Sequence, residues 1–209
     1  NNSVSLRPGL NRLQVQALGV GGVEIGRTNL DIWYDDGNVA TVGGSIAANT
    51  TWTTAGGPYN VSSSVTVNSG ATLTIEPGTT LYLGSGVNIT VASGGPLLAQ
   101  GTSNAPIRFT RAPGASTSWG NTTINGAVGS PETRIAYAHF EFNGGSPCLL
   151  VSAGTVFFDH LTFGNTDASY IHVDGASFVD VTDRRRVETR RVEVAQSLDL
   201  ARRRRIIGD

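Results

Sequence analysis

The chain has 209 residues, with 27 Gly, 23 Thr, 18 Ser, 14 Asn, one Cys and neither Met nor Lys. Charged residues make up 15% of the sequence and the net charge is −1, whereas an average globular protein is about 25% charged. This composition excludes coiled coils, disulfide frameworks and cysteine-based zinc fingers, and no apolar run is long enough to span a membrane. The abundance of Gly, Thr, Ser and Asn predicts an all-β protein with many turns.

The net charge averages two unlike parts of the chain. Residues 1–180 carry 6 Arg and 11 acidic residues, whereas residues 181–209 carry 9 Arg and 5 acidic residues. The acidic first part offers no broad basic surface, so we expect no nucleic-acid binding. Low charge, scarce Cys and abundant Thr, Ser and Asn favour a secreted or cell-surface bacterial protein.

Residues 1–37 are predicted to form a β-hairpin. Two segments around a glycine-rich turn alternate apolar and polar residues with the period of half-buried strands, the apolar positions being Leu13, Val15, Ala17, Leu30, Ile32 and Tyr34. The segment 35–38, Asp-Asp-Gly-Asn, ends the hairpin with residues that favour a turn, which we prefer to a calcium loop.

Residues 38–183 contain short β-rich triplets separated by turns of two to five residues. Such strands are too short for an ordinary sandwich, whose turns come every 8–12 residues or so. Three strands per turn of a solenoid would give a repeat of about 22 residues, which places Val67 beside Ile89 and Phe140 beside Leu161. In a β-helix even three-residue strands find hydrogen-bond partners in the turns above and below. A jelly roll is the competing architecture.

A family resemblance supports the β-helix. The stretch SVTVNSGATLTIEPGTTLYLGSGVNITVASGGPLLAQGTSNAPIRFT and the later SWGNTTINGAV resemble right-handed parallel β-helix domains of secreted bacterial proteins. The resemblance implies a single-stranded solenoid and says little about activity, because such domains accompany adhesive, surface-coat and carbohydrate-active modules. The hairpin sequence similarly resembles the last two strands of a bacterial immunoglobulin-like module, which implies that the chain is a piece of a larger protein.

The tail, residues 184–209, departs from both patterns. Two Arg runs flank a segment whose apolar spacing allows either strands or an amphipathic helix. We expect it to be a solvated segment or a cap on the open end of the solenoid. One further hypothesis is that a frame shift in a GC-rich gene produced the Arg runs.

The sequence lacks the residues that several classes of reaction require. Without Lys there is no Schiff-base nucleophile, and the sequence has no nucleophile elbow, phosphate-binding loop or zinc-protease motif. Cys148 is predicted to be a small buried hydrophobe. The three His, at positions 139, 160 and 172, do not form a convincing metal site on a flat sheet, so we predict no metal and no cofactor.

The candidate catalytic residues lie in two similar segments, YAHFEFNGG and FFDHLTFGN. With a 22-residue repeat, His139 lies beside His160 and Glu141 beside Thr162 on the outward face, with Asp159 at the edge. Paired carboxylates hydrolyse glycosidic bonds when they stand about 5 Å or 6.5–9.5 Å apart. Outward polar residues also occur on any half-exposed sheet without a function. Candidate substrate-binding residues are Trp119, which also suits a corner anchor, and Tyr170, His172 and Asp174.

We therefore expect a protein that engages a polysaccharide or cell-surface glycan, with Glu141 and Asp159 as the hydrolytic pair, assisted by His139 and His160. The alternative is a non-catalytic structural or adhesive module that self-associates through open β-helix ends. An esterase-like triad is disfavoured, because the neighbours Asp159 and His160 would point to opposite faces of one strand.

Overall fold

The computed structural model describes residues 3–34, 36–166, 170–174, 178–182 and 193–194. The predicted fold class is confirmed: these residues form an all-β parallel β-helix preceded by a β-hairpin. Of the predicted tail, 184–209, only Glu193–Val194 falls among the described residues. The expectations for the rest of the tail lie outside them.

The hairpin is a separate two-stranded sheet. Strands β1 (Gly9–Leu18) and β2 (Glu24–Tyr34) are antiparallel, with Leu13 opposite Leu30. A 3-10 turn at Val20–Gly22 joins them, and its last two glycines have positive φ. The predicted hairpin strands are therefore present.

The solenoid follows, and each pairing between its strands is parallel. Its strands are β3 (Ala40–Ile46), β4 (Thr50–Trp52), β5 (Tyr59–Val67), β6 (Leu73–Ile75), β7 (Thr80–Leu83), β8 (Ile89–Val91), β9 (Leu97–Gln100), β10 (Ile107–Thr110), β11 (Thr122–Asn125), β12 (Thr133–Glu141), β13 (Leu149–Ala153), β14 (Thr155–Gly164), β15 (Ile171–Val173), β16 (Phe178–Thr182) and β17 (Glu193–Val194).

Three sheets run the length of the solenoid. Sheet A contains β7, β10 and parts of β3, β5, β12 and β14; sheet B contains β8, β11, β13, β15, β17 and the ends of β3 and β5; sheet C contains β4, β6, β9, β16 and the starts of β12 and β14. The long strands bend from one sheet into the next. In β3 the bend requires glycine at Gly43, where φ is 155° and a Cβ would lie 2.3 Å from Ser63 Oγ.

The core is built from inward side chains that repeat at the same position in successive turns. In sheet A these are Tyr59, Leu81, Phe109, Phe140 and Phe163. Ring centroids of Phe109 and Phe140 are 4.6 Å apart, and those of Phe140 and Phe163 are 5.5 Å apart. Sheets B and C add columns of aliphatic residues that are buried almost completely. Burial of each methylene contributes about 0.8 kcal/mol, so this continuous column is the main source of stability.

The register differs from the prediction. Val67 lies opposite Val91 rather than Ile89, and Phe140 lies opposite Phe163 rather than Leu161. Along sheet A the repeat is 22, 28, 31 and then 23 residues, because loops of different length leave the corners. A slip of two residues keeps every side chain on its own face, so alternation alone did not reveal the error.

The sequence predicts a division into residues 1–37, 38–183 and 184–209. That division, and the origin of the hairpin in an immunoglobulin-like module, stay predictions.

The hairpin contacts the solenoid through its side chains: Arg12 Nη1 donates to the Ser103 carbonyl at 2.9 Å, and Trp33 lies over Arg108.

Candidate functional site

The corrected register separates the predicted catalytic residues. His139 lies between Arg108 and Thr162 in sheet A, and Glu141 lies opposite Gly164. His160 therefore is not the neighbour of His139, and the predicted ladder that paired them is wrong. The cause is the two-residue slip described above.

Glu141 is held by an ion pair in sheet A. Its Oε2 accepts from Arg108 Nε at 2.9 Å and lies 2.7 Å from Arg108 Nη2, and both side chains are about one-fifth exposed. The hairpin covers this pair, because the Arg108 guanidinium is 4.4 Å from the centroid of the Trp33 ring. The same ring meets His139 edge-on at 6.4 Å. The outward side of sheet A at Arg108 and His139 is thus a contact surface for Trp33 of the hairpin.

Asp159 and His160 lie at the corner where β14 bends from sheet C into sheet A. His160 Nδ1 and Asp159 Oδ1 are 2.6 Å apart. A carboxylate only accepts, so Nδ1 is the donor in this bond. The argument that these neighbours point to opposite faces is wrong here, because His160 has a φ of 49° and the strand is not extended at that residue.

Tyr137 occupies the same corner one turn earlier, with a φ of 46°. The Tyr137 and His160 rings are stacked, with centroids 4.2 Å apart and planes 13° apart. Left-handed backbone at a bulky non-glycine residue is uncommon and costs free energy. The corner therefore holds two rings in an unusual conformation, one above the other.

Sheet C continues this surface. The Arg134 guanidinium lies 4.2 Å from the centroid of the Phe157 ring, which is its register partner in the next turn. Arg134 also pairs with Glu132 and donates to Gln100 Oε1 at 3.1 Å. We call the five residues along this edge the corner strip: Arg134, Tyr137, Phe157, Asp159 and His160. Each of their side chains is at least partly exposed.

The two predicted carboxylates do not form a pair. Asp159 of β14 lies opposite Ala136 of β12 in sheet C. Glu141 is five residues after Ala136 on β12, in sheet A. Five extended residues span up to about 17 Å, and the bend between them directs the two side chains away from different sheets. Each carboxylate also has its own basic partner, Arg108 for Glu141 and His160 for Asp159.

The predicted substrate-binding residues are dispersed. Trp119 is only 1% exposed and its Nε1 donates to the Glu141 carbonyl at 2.7 Å. A ring without an exposed face does not stack on a sugar, so Trp119 is a corner anchor and its predicted binding role is wrong. Tyr170 stacks on Phe163 with centroids 4.7 Å apart. His172 and exposed Asp174 belong to sheet B and its following turn, away from the corner strip.

Two further titratable groups have structural roles. Cys148 is completely buried, as predicted, and burial raises the pKa of its thiol. Asp36 ends the hairpin region by accepting from the Asn38 backbone N–H at 2.9 Å, which lowers the pKa of its carboxyl. Asp36 therefore forms the predicted turn. Over the described part of the chain, no group of three His, Cys, Asp or Glu is arranged to hold a metal ion.

Sequence reasoning missed Arg134, Tyr137 and Phe157 as surface residues of interest, as well as the contact of Trp33 with Arg108. A signal for the first three was present. Tyr137 and His160 are 23 residues apart, as are Arg134 and Phe157, which is the step from β12 to β14. Testing several repeat lengths would have aligned both pairs. The Trp33 contact joins two separate sheets, and no periodicity reports it.

Comparison with known proteins adds one match. A family model described as a pectate-lyase-like beta helix domain matches residues 44–142, just under half of the chain. The match begins within β3 and ends just after β12. Over these residues the chain is similar to that family, in agreement with the solenoid. No curated protein and no solved structure matches the chain. Among the helical residues that the structure describes, none belongs to a helix that could cross a membrane.

Proposed function

We propose that this protein binds a polysaccharide along the corner strip. The observation that carries the proposal is the pair of stacked rings at the corner, Tyr137 on His160, next to the Arg134–Phe157 pair. The similarity of residues 44–142 to a pectate-lyase-like domain supports a polysaccharide as the ligand class.

The chemistry of the strip suits a sugar polymer. Aromatic faces bury the apolar C–H surface of a sugar ring, while a guanidinium and a carboxylate offer hydrogen bonds to its hydroxyl and acidic groups. The strip occupies two neighbouring turns, β12 and β14, which lie about 4.8 Å apart, so it is a compact patch on which a short segment of a sugar chain can lie.

Cleavage of a glycosidic bond is the second candidate function, and the Asp159–His160 hydrogen bond favours it. A carboxylate on Nδ1 fixes the ring orientation and stabilises the imidazolium, so Nε2 can deliver a proton to the glycosidic oxygen as the glycosidic C–O bond breaks. Water adds to the anomeric carbon, and the proton that it loses returns to the imidazole. This proposal replaces the predicted carboxylate pair, because Glu141 and Asp159 lie on different sheets. Glu141 and His139 then act by holding Arg108 and the hairpin over sheet A. Tyr170, His172 and Asp174 remain proposed contacts for a polymer that extends over sheet B.

Binding is tested by removing the rings without disturbing the corner. Asn tolerates left-handed backbone better than other non-glycine residues, so Tyr137→Asn and His160→Asn keep the conformation and delete the rings. Phe142→Asn is the matched control, since Phe142 also has a positive φ, 58°, at the other end of sheet A. Affinity electrophoresis against neutral and acidic polysaccharides should show weaker retardation for the first two variants alone. Equal retardation of all three variants and wild type would overturn the proposed site.

Cleavage is tested on the polysaccharide that binds best, by following new reducing ends. We expect Asp159→Asn and His160→Asn to lower the rate at least tenfold, and Glu141→Gln to leave most of it. A protein that binds the polymer but releases no new ends is the non-catalytic, adhesive module instead. Full activity in Asp159→Asn would remove the acid–base role.

We also propose that the protein is secreted or exposed at a bacterial cell surface. Low charge, a single buried Cys and a polysaccharide ligand support this location. Fractionation of the producing cells, with antibodies against the folded β-helix, tests it. Recovery in the cytoplasmic fraction alone would contradict it.

A further inference from the structure

The hairpin presents an uncharged face that the β-helix leaves uncovered. In an antiparallel pair, residues directly opposite each other share a face, and the register pairs Leu13 with Leu30 and Val15 with Thr28. The complete face consists of Asn11, Leu13, Val15, Ala17, Gly26, Thr28, Leu30 and Ile32. We call it the outer face.

The opposite face of the hairpin holds the contacts with the solenoid. Arg12 reaches the Ser103 carbonyl and Trp33 lies over Arg108. Neighbours along a strand point to opposite sides, so the outer face is directed away from the β-helix. On this outer face Val15 is 50% exposed and Leu30 is 51% exposed.

The tip of the hairpin extends this apolar surface. Val23 and Ile25 are 65% and 72% exposed, and Val20 is fully exposed. A two-stranded sheet is at best marginally stable in water without a second layer. Contiguous exposed apolar surface of this kind marks an interaction site. The hairpin therefore offers an apolar surface that a partner can cover.

We propose that the outer face pairs with the outer face of a second copy of this chain. None of its eight residues is charged, whereas the charged side chains Arg12, Glu24 and Arg27 are engaged elsewhere, the last two with each other at 2.6 Å. Two copies related by a two-fold axis thus bury no charge and juxtapose no like charges. The same patch meets itself, as an isologous interface requires.

The size of the face sets the expected strength. Strands of 10 and 11 residues make a surface roughly 34 Å long and about 10 Å wide. This is smaller than the about 800 Å² per partner of a standard stable interface, even with the tip included. We therefore expect a dimer that forms reversibly as concentration rises, rather than a permanent one.

Sedimentation over a range of concentrations tests the pairing. Wild type should shift from monomer toward dimer, and Val15→Lys or Leu30→Lys, which place charges on the outer face, should stay monomeric. Gln14→Lys is the matched control, because it adds the same charge to the opposite face of the same strand, at an exposed position. Circular dichroism confirms that the variants keep their strands. Wild type that stays monomeric at its solubility limit would overturn the proposal.

A cysteine experiment separates this interface from pairing through the ends of the β-helix. The chain has one Cys, Cys148, which is buried, so an introduced thiol on the hairpin is the accessible one. Val15→Cys should form a disulfide-linked dimer under mild oxidation much faster than Gln14→Cys. Dimers in solution with equal, slow cross-linking of the two variants would place the interface elsewhere and contradict the proposal.

Discussion

The β-helix and the hairpin share one sequence pattern, but its apolar positions are buried in the β-helix and exposed in the hairpin. In both, apolar and polar residues alternate along strands. In the solenoid the apolar positions are buried, as Val65 and Val67 are completely. In the hairpin Val15 and Leu30 are half exposed. The alternation thus predicts a strand with two unlike faces, and the packing around that strand decides which face meets water.

The difference follows from the number of layers. Each inward side chain of the solenoid faces two other sheets and has the preceding and following turns on either side. The described contacts of the hairpin are with polar groups, namely Arg108 and His139 on the outside of sheet A and Ser103 in the turn between β9 and β10. Its polar face with Arg12 and Trp33 contacts Arg108 and Ser103, and its apolar face is directed away from these contacts.

The largest effect should come from deleting an aromatic ring in the core of the solenoid. Phe140 is fully buried between Phe109 and Phe163, so Phe140→Ala should lower the free energy of unfolding by about 3–5 kcal/mol. Val15→Ala, at an apolar position of the hairpin, should change it by less than about 0.5 kcal/mol. Urea titrations followed by circular dichroism measure both. Similar losses in the two variants would contradict the distinction between the regions.

The same substitution at two tryptophans sharpens the comparison. Trp119→Phe removes the donor to the Glu141 carbonyl and should cost about 1–3 kcal/mol, the range for a buried acceptor left unpaired. Trp33→Phe keeps a ring over Arg108 and should cost much less. Measuring the free energy of unfolding of both variants under the same conditions tests this difference. A larger loss at Trp33 would mean that the hairpin is integral to the stability of the solenoid.

Cys148 gives the stability of the solenoid a dependence on alkaline pH. Burial raises the pKa of its thiol, so above the unfolded thiol pKa of about 8.5 the folded state holds a proton that the unfolded state releases. The contribution of the buried thiol to the free energy of unfolding is therefore fully present below that pH. It decreases above that pH, by about 1.4 kcal/mol per pH unit. Unfolding titrations at pH 8 and 9.5 should show a shallower decline for Cys148→Ala. Identical declines in variant and wild type would contradict the assignment.

The smallest effect concerns the docking of the hairpin. Trp33→Ala removes a cation–π contact of about 0.5–1 kcal/mol at such a site, so the β1 and β2 amides should exchange hydrogen faster while sheets B and C keep their protection. Tyr34→Ala is the matched control on the neighbouring residue, which is 37% exposed. Unchanged exchange in Trp33→Ala would mean that other contacts hold the hairpin in place.

The sequence was sufficient to predict the solenoid, because short strands, glycine-rich turns and inward aliphatic residues at positions such as Leu73 and Ile75 have few other solutions. It was also sufficient for the burial of Cys148. Strand register was harder. Stacking Phe140 on Leu161 or on Phe163 satisfies the same alternation, and only the lengths of the loops and corners select between them.

The candidate site depended on those details, and so only parts of it were predictable. Asp159 and His160 were identified by residue type, but their hydrogen bond arises from the left-handed backbone at His160, which alternation does not reveal. The separation of Glu141 from Asp159 likewise depends on the bend within β12. Local pattern predicts which side chains face outward, and three-dimensional corners decide which of them meet.

Hydrogen exchange with and without bound polysaccharide tests the proposed site most directly. Using the polymer with the strongest retardation, we predict added protection in two segments that are distant in sequence, 134–137 and 157–160, and little change in the hairpin. Protection confined to residues 139–141, or to the turn after sheet B around Asp174, would contradict binding along the corner strip.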